Sequence, residues 1–267
     1  KLKDKDSEKF DKFWENFGAV IKEGIYEDSD SKTDILKLAK FNTLNNDKLI
    51  FLDQYLENMH KNQETIYYLA SDKVEQANNS PHLEAFKKKN IDVLILTDPI
   101  DTFWLSVVND FEEKKFMSIT HGEIDLDKFS SEKNKGKDEN KDTKKFDKLI
   151  KEMKNTLGEK VADIRLSKKL VDSVCCLVAS DTGMDVHMER MMMMQNKDFK
   201  GMPRVLELNP NHVLIKKLNS LTKKSNDTHK KITLTLYDHA RLMEGQLPED
   251  IGDYCTRVAN YMQSSLS

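Results

Sequence analysis

Between Asp127 and Lys145 the chain abandons hydrophobic patterning. After Phe129 it reads Ser130-Ser131-Glu132-Lys133-Asn134-Lys135-Gly136-Lys137-Asp138-Glu139-Asn140-Lys141-Asp142-Thr143-Lys144-Lys145, without one large apolar side chain. Such a run cannot bury enough apolar surface to offset the entropy of ordering it, so it is a linker or the solvated start of a helix. A single core cannot extend across it. The sequence therefore predicts two domains, 1–126 and 146–267, joined by a charged segment at 127–145, and 267 residues suffice for two cores of ordinary size.

The first part opens with a helical period. Phe10, Phe13, Trp14, Phe17, Val20 and Ile21 recur at the spacing of one helix face, and Ile35, Leu36, Leu38 and Ala39 resume it after the turn Glu27-Asp28-Ser29-Asp30. Leu52 to Met59 reads as a short amphipathic helix with Asp53 as its cap. The texture then alternates. Ile66-Tyr67-Tyr68-Leu69, Ile91 to Leu96 and Phe116 to Ile119 are strand-like; Lys73 to Asn79, a segment opened by Ser80-Pro81, and Thr102 to Asp110 are helical. Strands alternating with helices predict a small αβα layer built on a parallel sheet with right-handed crossovers.

The second part predicts a mixed α/β (α+β) domain. A helix from Phe146 to Leu157 closes at Gly158, and strands follow at Val161–Leu166, Cys175–Ala179 and Arg204–Leu208. Asn209-Pro210 starts a helix carrying Val213, Leu214, Ile215 and Leu218. The end is helical, with Ile232, Leu234, Leu236, Tyr237, Ala240, Leu242 and Met243 on one stretch and Ile251, Tyr254, Val258, Tyr261 and Met262 on the next. Two closing amphipathic helices form an oligomer interface in some folds and pack on their own domain in others.

Between the second and third of these strands lie six methionines in eleven residues, Met184 to Met194. A helix would align Met184, Met188, Met191 and Met192 on one face. The pattern fits a loosely packed core helix. It fits equally a surface that accepts many apolar shapes, because thioether side chains are flexible and polarizable. Glu189 and Arg190 keep the helix from being apolar all round.

Composition narrows the chemistry. Charged residues make up 33 % and hydrophobic residues 38 %, and no apolar run approaches the roughly 20 residues that span a bilayer. A net charge of −3 gives no electrostatic basis for nucleic acid binding. Adjacent Cys175 and Cys176 point to opposite faces of a strand, and Cys255 has no ligand-spaced neighbour; all three read as buried small hydrophobes of a reducing compartment. Neither GxGxxG nor GxxxxGK[ST] occurs, no HExxH accompanies His187-Met188-Glu189, and no GxSxG elbow accompanies Asp238-His239. Nothing in composition or spacing amounts to an active site. The opening Lys-Leu-Lys-Asp-Lys-Asp is no signal peptide and reads as a cut within a longer protein.

Several short motifs carry a resemblance. Phe17-Gly18 through Glu27-Asp28, Leu52-Asp53-Gln54-Tyr55 through Met59, Gln63 through Tyr68, Ser80-Pro81-His82-Leu83-Glu84 and Asp98-Pro99-Ile100-Asp101 resemble the middle domain of the ninety-kilodalton heat-shock chaperones. Arg165-Leu166 through Leu170-Val171-Asp172-Ser173, and Leu206 through His212, resemble that family's C-terminal domain. The order holds over almost the whole chain apart from 127–145. The final Tyr-Met-Gln-Ser-Ser-Leu-Ser lacks the acidic pentapeptide with which cytosolic eukaryotic members dock helical-repeat cochaperones, so the form resembles the bacterial, cytoplasmic one.

The resemblance implies the C-terminal part of an ATP-driven homodimeric chaperone. The ATPase domain and its γ-phosphate arginine would lie outside this chain. This fragment is then no enzyme and has no cofactor of its own, ATP and magnesium belonging to the parent protein. The implied partners are a second copy and partly unfolded client proteins, with no nucleic acid and no membrane. The implied dimer is a four-helix bundle using Leu234, Leu236, Tyr237, Leu242, Tyr254, Val258 and Tyr261. The implied client contacts are Met184, Met188, Met191 and Met192, with Phe103 or its neighbour Trp104 from the first domain. The alternative is a dimerisation module without direct client contact.

Overall fold

The computed structural model of the protein describes residues 6–121, 124–129, 139–180, 186–196, 199, 201–221 and 226–266. The chain forms two compact units. One comprises Lys1–Asn79, Phe86–Thr120 and Asp125–Ser130; the other comprises Ser80–Ala85, His121–Ile124 and Ser131–Ser267.

The first unit begins with α1 (Ser7–Glu27), whose N-terminus is capped by Asp6 Oδ1 accepting from Lys9 N–H at 3.1 Å. After α2 (Lys32–Leu38) come β1 (Lys40–Thr43), β2 (Ile50–Phe51) and α3 (Leu52–Glu57). Asp53 lies in the first turn of α3 rather than at its cap, which is Phe51. Then follow β3 (Thr65–Ala70) and α4 (Val74–Asn78). The predicted helix after Ser80 is a 3-10 turn at Pro81–Leu83, counted with the second unit, leading into α5 (Glu84–Lys89), which from Phe86 belongs to the first. The unit is completed by β4 (Leu94–Leu96), α6 (Ile100–Trp104), β5 (Asp110–Phe111) and β6 (Lys114–Ser118). Six strands lie in the order β2-β1-β4-β3-β6-β5. The predicted strands form its parallel centre, β4-β3-β6, with Tyr68 beside Leu94 and Ile66 beside Phe116. Both margins are antiparallel additions. Glu112 and Glu113 turn the β5–β6 hairpin with φ of 47° and 65°, the left-handed conformation that a tight two-residue connection between twisted strands demands.

The core of this unit gathers Phe10, Trp14, Phe41, Leu52, Ile66, Leu94, Leu96 and Trp104. It also encloses polar groups, and each is partnered, as burial requires. Tyr55 donates its hydroxyl hydrogen to the Asp92 carbonyl (2.9 Å) and accepts from Gln63 Nε2 and Tyr67 N–H (both 3.2 Å), and burial pushes its phenol well up. Lys22 crosses from α1 to Asp98 (2.7 Å) and Asp101 (3.0 Å). Within the 127–145 segment, Asp127–Phe129 is a 3-10 turn and Phe129 is buried edge-on against His60.

The second unit is built on α7 (Glu139–Leu157), β7 (Val161–Leu166), β8 (Cys175–Val178), α8 (Val186–Gln195), β9 (Arg204–Leu208), α9 (Val213–Leu221), α10 (Asn226–Met243) and α11 (Ile251–Ser265). Gly158 ends α7 with φ of 56°, the left-handed C-terminal position that glycine occupies without strain. In the sheet β9 lies between β7, parallel to it, and β8, antiparallel. Leu149, Met153, Leu206, Leu208, Ile215, Leu236 and Ala240 pack on one face. Cys175 joins that cluster while Cys176 joins Leu170, Val178 and Val205, as strand alternation dictates. Burial pushes the Cys175 thiol up to about 12. Cys255, predicted as buried, is instead exposed on α11.

Three polar clusters fix the loops of this unit. The Glu84 carboxylate accepts from the backbone N–H groups of Val171 (2.6 Å), Asp172 (2.9 Å) and Ser173 (3.0 Å). Asn209, fully buried, donates to the carbonyls of Val171 (3.1 Å) and Ser173 (2.9 Å). Arg257 on α11 reaches back to Asp238 (2.6 Å) and Thr235 (2.8 Å) on α10, so Asp238 serves the helix pair and not His239.

Candidate binding surface

Six of the ten residues of α8 are Met or Val, yet among its described side chains the buried one is an acid. Its anchor is Glu189, only 4 % exposed. The carboxylate accepts from Arg204 Nε (3.1 Å) and Nη2 (2.9 Å) at the start of β9, and from the backbone N–H of Met202. A two-pronged guanidinium–carboxylate contact fixes direction as well as distance, and so sets the helix register. The strand approach is shaped to the same carboxylate. Gly201 has φ of 76°, and a Cβ there would stand 2.6 Å from Glu189 Oε1. One turn on, the Met193 sulfur would stand 3.3 Å from that Cβ.

Glu189 and Met193 thus form the inward row of α8, and Met188 and Met192 lie one residue round the helix from it. Met192 is 39 % exposed and Met188 half-buried. Met202 adds a further exposed thioether beside the anchor. Met193 and Met202 also line a cleft of about 310 Å³ with Leu177, Tyr237, Arg204 and Arg241. Of the other predicted contacts, Met184 lies outside the described residues, and so does the side chain of Met191, though its backbone belongs to α8.

In the first unit Phe103 and Trp104 part company. Trp104 is completely buried between Phe41 and Phe116, and its indole N–H donates to Asp101 Oδ1 at 2.7 Å. A ring so enclosed offers no face to a partner. Phe103 is 37 % exposed and stands edge-on to Tyr26.

The terminal helices divide in the same way. Leu236 and Tyr237 belong to the core of their own unit, Leu234 packs against it, and the Tyr237 hydroxyl donates to the Lys160 carbonyl (3.1 Å). Leu242 and Tyr261 are exposed, and Tyr254 and Val258 half-buried. Ile251 and Met262 extend the same apolar face of α11, with Leu247 before it and Leu266 after it, all at least half-exposed. Leu247 and Leu266 escaped sequence reasoning because they fall outside the helical period.

Among the described residues no helix is long and apolar enough to cross a membrane. The model of the Hsp90 protein family matches residues 1–267. The chain is 37 % identical over 278 residues to the chaperone protein HtpG of Orientia tsutsugamushi (strain Boryong), which covers all of this chain and 44 % of the relative. It is 39 % identical to the HtpG proteins of Paramagnetospirillum magneticum, over 100 % of this chain and 44 % of the relative, and of Roseobacter denitrificans, over 98 % and 43 %. The chain therefore spans less than half the length of these relatives. With a family match from its first residue to its last, this chain belongs to the Hsp90 protein family.

Proposed function

We propose that this chain is the client-holding and self-associating part of a chaperone whose ATP and magnesium site lies in the portion of its relatives that it does not span. Chaperone proteins are its relatives by name, and they are more than twice its length. The observation that carries the reading is the exposed thioether row of α8 on a helix fixed by Glu189 and Arg204. Because an ion pair supplies the anchorage, Met192, Met188 and Met202 stay available to an incoming apolar segment. Each burial contributes little, but several on one scaffold favour long, partly unfolded chains over compact ones. Flexible thioethers accommodate clients of different shape. Phe103 offers a further apolar contact on the first unit, and Trp104 serves as its core support.

Self-association falls to the open apolar face of α11, with Tyr254, Val258, Tyr261 and Met262, and to Leu242 of α10. Leu234, Leu236 and Tyr237 support that face from within the unit. In this reading the face is the interface of a homodimer in a bacterial-type cytoplasmic chaperone. Aggregation suppression and sedimentation equilibrium test the two roles separately. Met188→Ser with Met192→Ser should weaken client binding by about tenfold per buried methionine lost, with the dimer intact. Tyr261→Asp with Met262→Asp should yield monomers. Unchanged suppression by the first variant would remove the client role and leave a dimerisation module.

A further inference from the structure

We infer that the thioether cluster of Met188, Met192 and Met202 is an oxidation site through which peroxide switches off client binding without unfolding the chain, an inference that rests on the client-holding role proposed above. Three observations carry it. Met192 and Met202 are 39 % and 46 % exposed, whereas Met153 in the core of the same unit has no exposed surface, so an oxidant in solution meets the first two before the third. The groups that hold α8, the Glu189 carboxylate and the Arg204 guanidinium, are inert to peroxide. Oxidation of the methionines therefore leaves the anchor in place. Finally, the cleft beside α8 is prepared for the oxidised form. It is lined by Met193 and Met202 together with Arg204 and Arg241, and among the described residues Arg204 Nη1 and Arg241 Nε are buried donors without an acceptor. A thioether is a weak acceptor and a sulfoxide a strong one. Of the three sites Met202 lines this cleft, so its oxidation places an acceptor on a wall whose donors lack one and draws that side chain away from the surface, while Met188 and Met192 become polar on the open face.

The chemistry is a single oxygen transfer. Hydrogen peroxide gives one oxygen atom to the methionine sulfur, the O–O bond breaks, the sulfur is oxidised by two electrons and the second oxygen leaves as water. The product is a polar, chiral side chain in place of an apolar one, and methionine sulfoxide reductases reverse it. A face that binds by apolar burial then has nothing to offer at that position.

The test oxidises the 267-residue chain with hydrogen peroxide, then treats it with dithiothreitol so that Cys255 is returned to the thiol. Site-resolved mass spectrometry follows each methionine, circular dichroism the fold, and a fluorescent unfolded protein the binding. Sulfoxide should form at Met192 and Met202 ahead of Met153, helix content should persist, and the dissociation constant should rise about tenfold or more. Methionine sulfoxide reductases A and B together should restore it. A chain with Met188→Leu, Met192→Leu and Met202→Leu, compared only with its own reduced form, should keep its affinity through peroxide. If that chain loses affinity as strongly as the parent, the responsible sulfoxide lies at another methionine and the inference falls. Unaltered affinity with Met192 oxidised, loss that the reductases do not reverse, or loss of helix content each overturns it as well. If the reduced parent binds no unfolded protein at all, the client role itself has failed, and the switch with it.

Discussion

Replacing Glu189 by alanine tests whether a buried ion pair, and not the methionines, holds α8. The substitution deletes three hydrogen bonds at once: two from Arg204 and one from the Met202 N–H. It also strands a guanidinium whose side chain is 7 % exposed and whose Nη1 has no acceptor among the described residues to begin with. Breaking a buried pair by removing one partner costs about 3–5 kcal/mol, most of it the penalty of the uncompensated charge. At about 1.4 kcal/mol per decade, local opening of α8 becomes roughly a hundred to several thousand times more frequent. Native-state hydrogen exchange resolves this by segment. Amides of 186–195 should exchange faster by that factor, up to the ceiling set by their own protection, while α7 and β7, held by Leu149, Met153 and Ile164, should not change. Adding Arg204→Met to the same chain removes the stranded charge and should recover most of the protection. Exchange of α8 that alters by less than about threefold in Glu189→Ala would refute the argument and return the anchorage to side-chain packing.

Both tryptophans, Trp14 and Trp104, lie in the core of the first unit, so their fluorescence reports its unfolding alone. Lys22→Met should lower the urea midpoint of that transition by the equivalent of about 3 kcal/mol, because the fully buried Asp101 loses its cation; an unchanged midpoint would show the pair to be dispensable. Burial raises the Asp101 carboxyl above 3.8 and Lys22 opposes that rise, so the folded state binds the proton more tightly than the unfolded state. The contribution of Asp101 to stability therefore declines as pH rises through the window above 3.8, and Lys22→Met should steepen the decline. In the second unit burial lowers the His229 pKa below 6.5, with Glu152 opposing at 3.7 Å. The unfolded chain then takes up the proton first, so this group's stabilisation is complete above pH 6.5 and is lost as pH falls from there to the lower folded value. His229→Leu should flatten the acid-dependent rise in α10 amide exchange across that window, and an identical rise would assign it to another group.

The elements legible in the sequence are those whose side chains carry their own instructions. Ile66 to Leu69 and Cys175 to Val178 are apolar runs that only a buried strand accommodates, and Gly158 marks a helix end that the backbone obeys. The strands β1, β2 and β5 were not legible. Two are only two residues long, and Lys40-Phe41-Asn42-Thr43 mixes charge, aromatic and amide; their pairing is dictated by the strands they join. At the candidate surface the methionine run was visible at once and its anchor was not. Glu189 read as an interruption of an apolar face, since its partner Arg204 lies fifteen positions away. Phe103 and Trp104 were indistinguishable by spacing, although Asp101, three residues before Trp104 on the same turn, was the available signal for the buried ring. The indole N–H needs an acceptor when enclosed, and only Trp104 has one at that distance.

In the proposed client-holding role, the arrangement around α8 answers a physical conflict. A helix that offers apolar side chains to others cannot spend the same side chains on its own core, because burial is the only attraction they possess and it is used once. Holding the helix by a second apolar stripe would make it hydrophobic nearly all round and draw it inward or into aggregates. A buried carboxylate and guanidinium avoid this. Their attraction is directional, it is confined to one side of the helix, and it competes with no client for surface. It also sets a limit: the pair fixes α8 at Glu189, near its middle, and leaves adaptability to the thioethers on either side. Glu189→Leu, which exchanges the ion pair for apolar packing, should therefore protect α8 from exchange less well than the parent and leave Arg204 without its carboxylate. Rescue by Arg204→Met in that background should tighten the helix without restoring its register, so that unfolded-protein binding recovers less than amide protection does. Equal recovery of both would mean that the direction supplied by the ion pair is immaterial, and that any anchor of sufficient strength would serve.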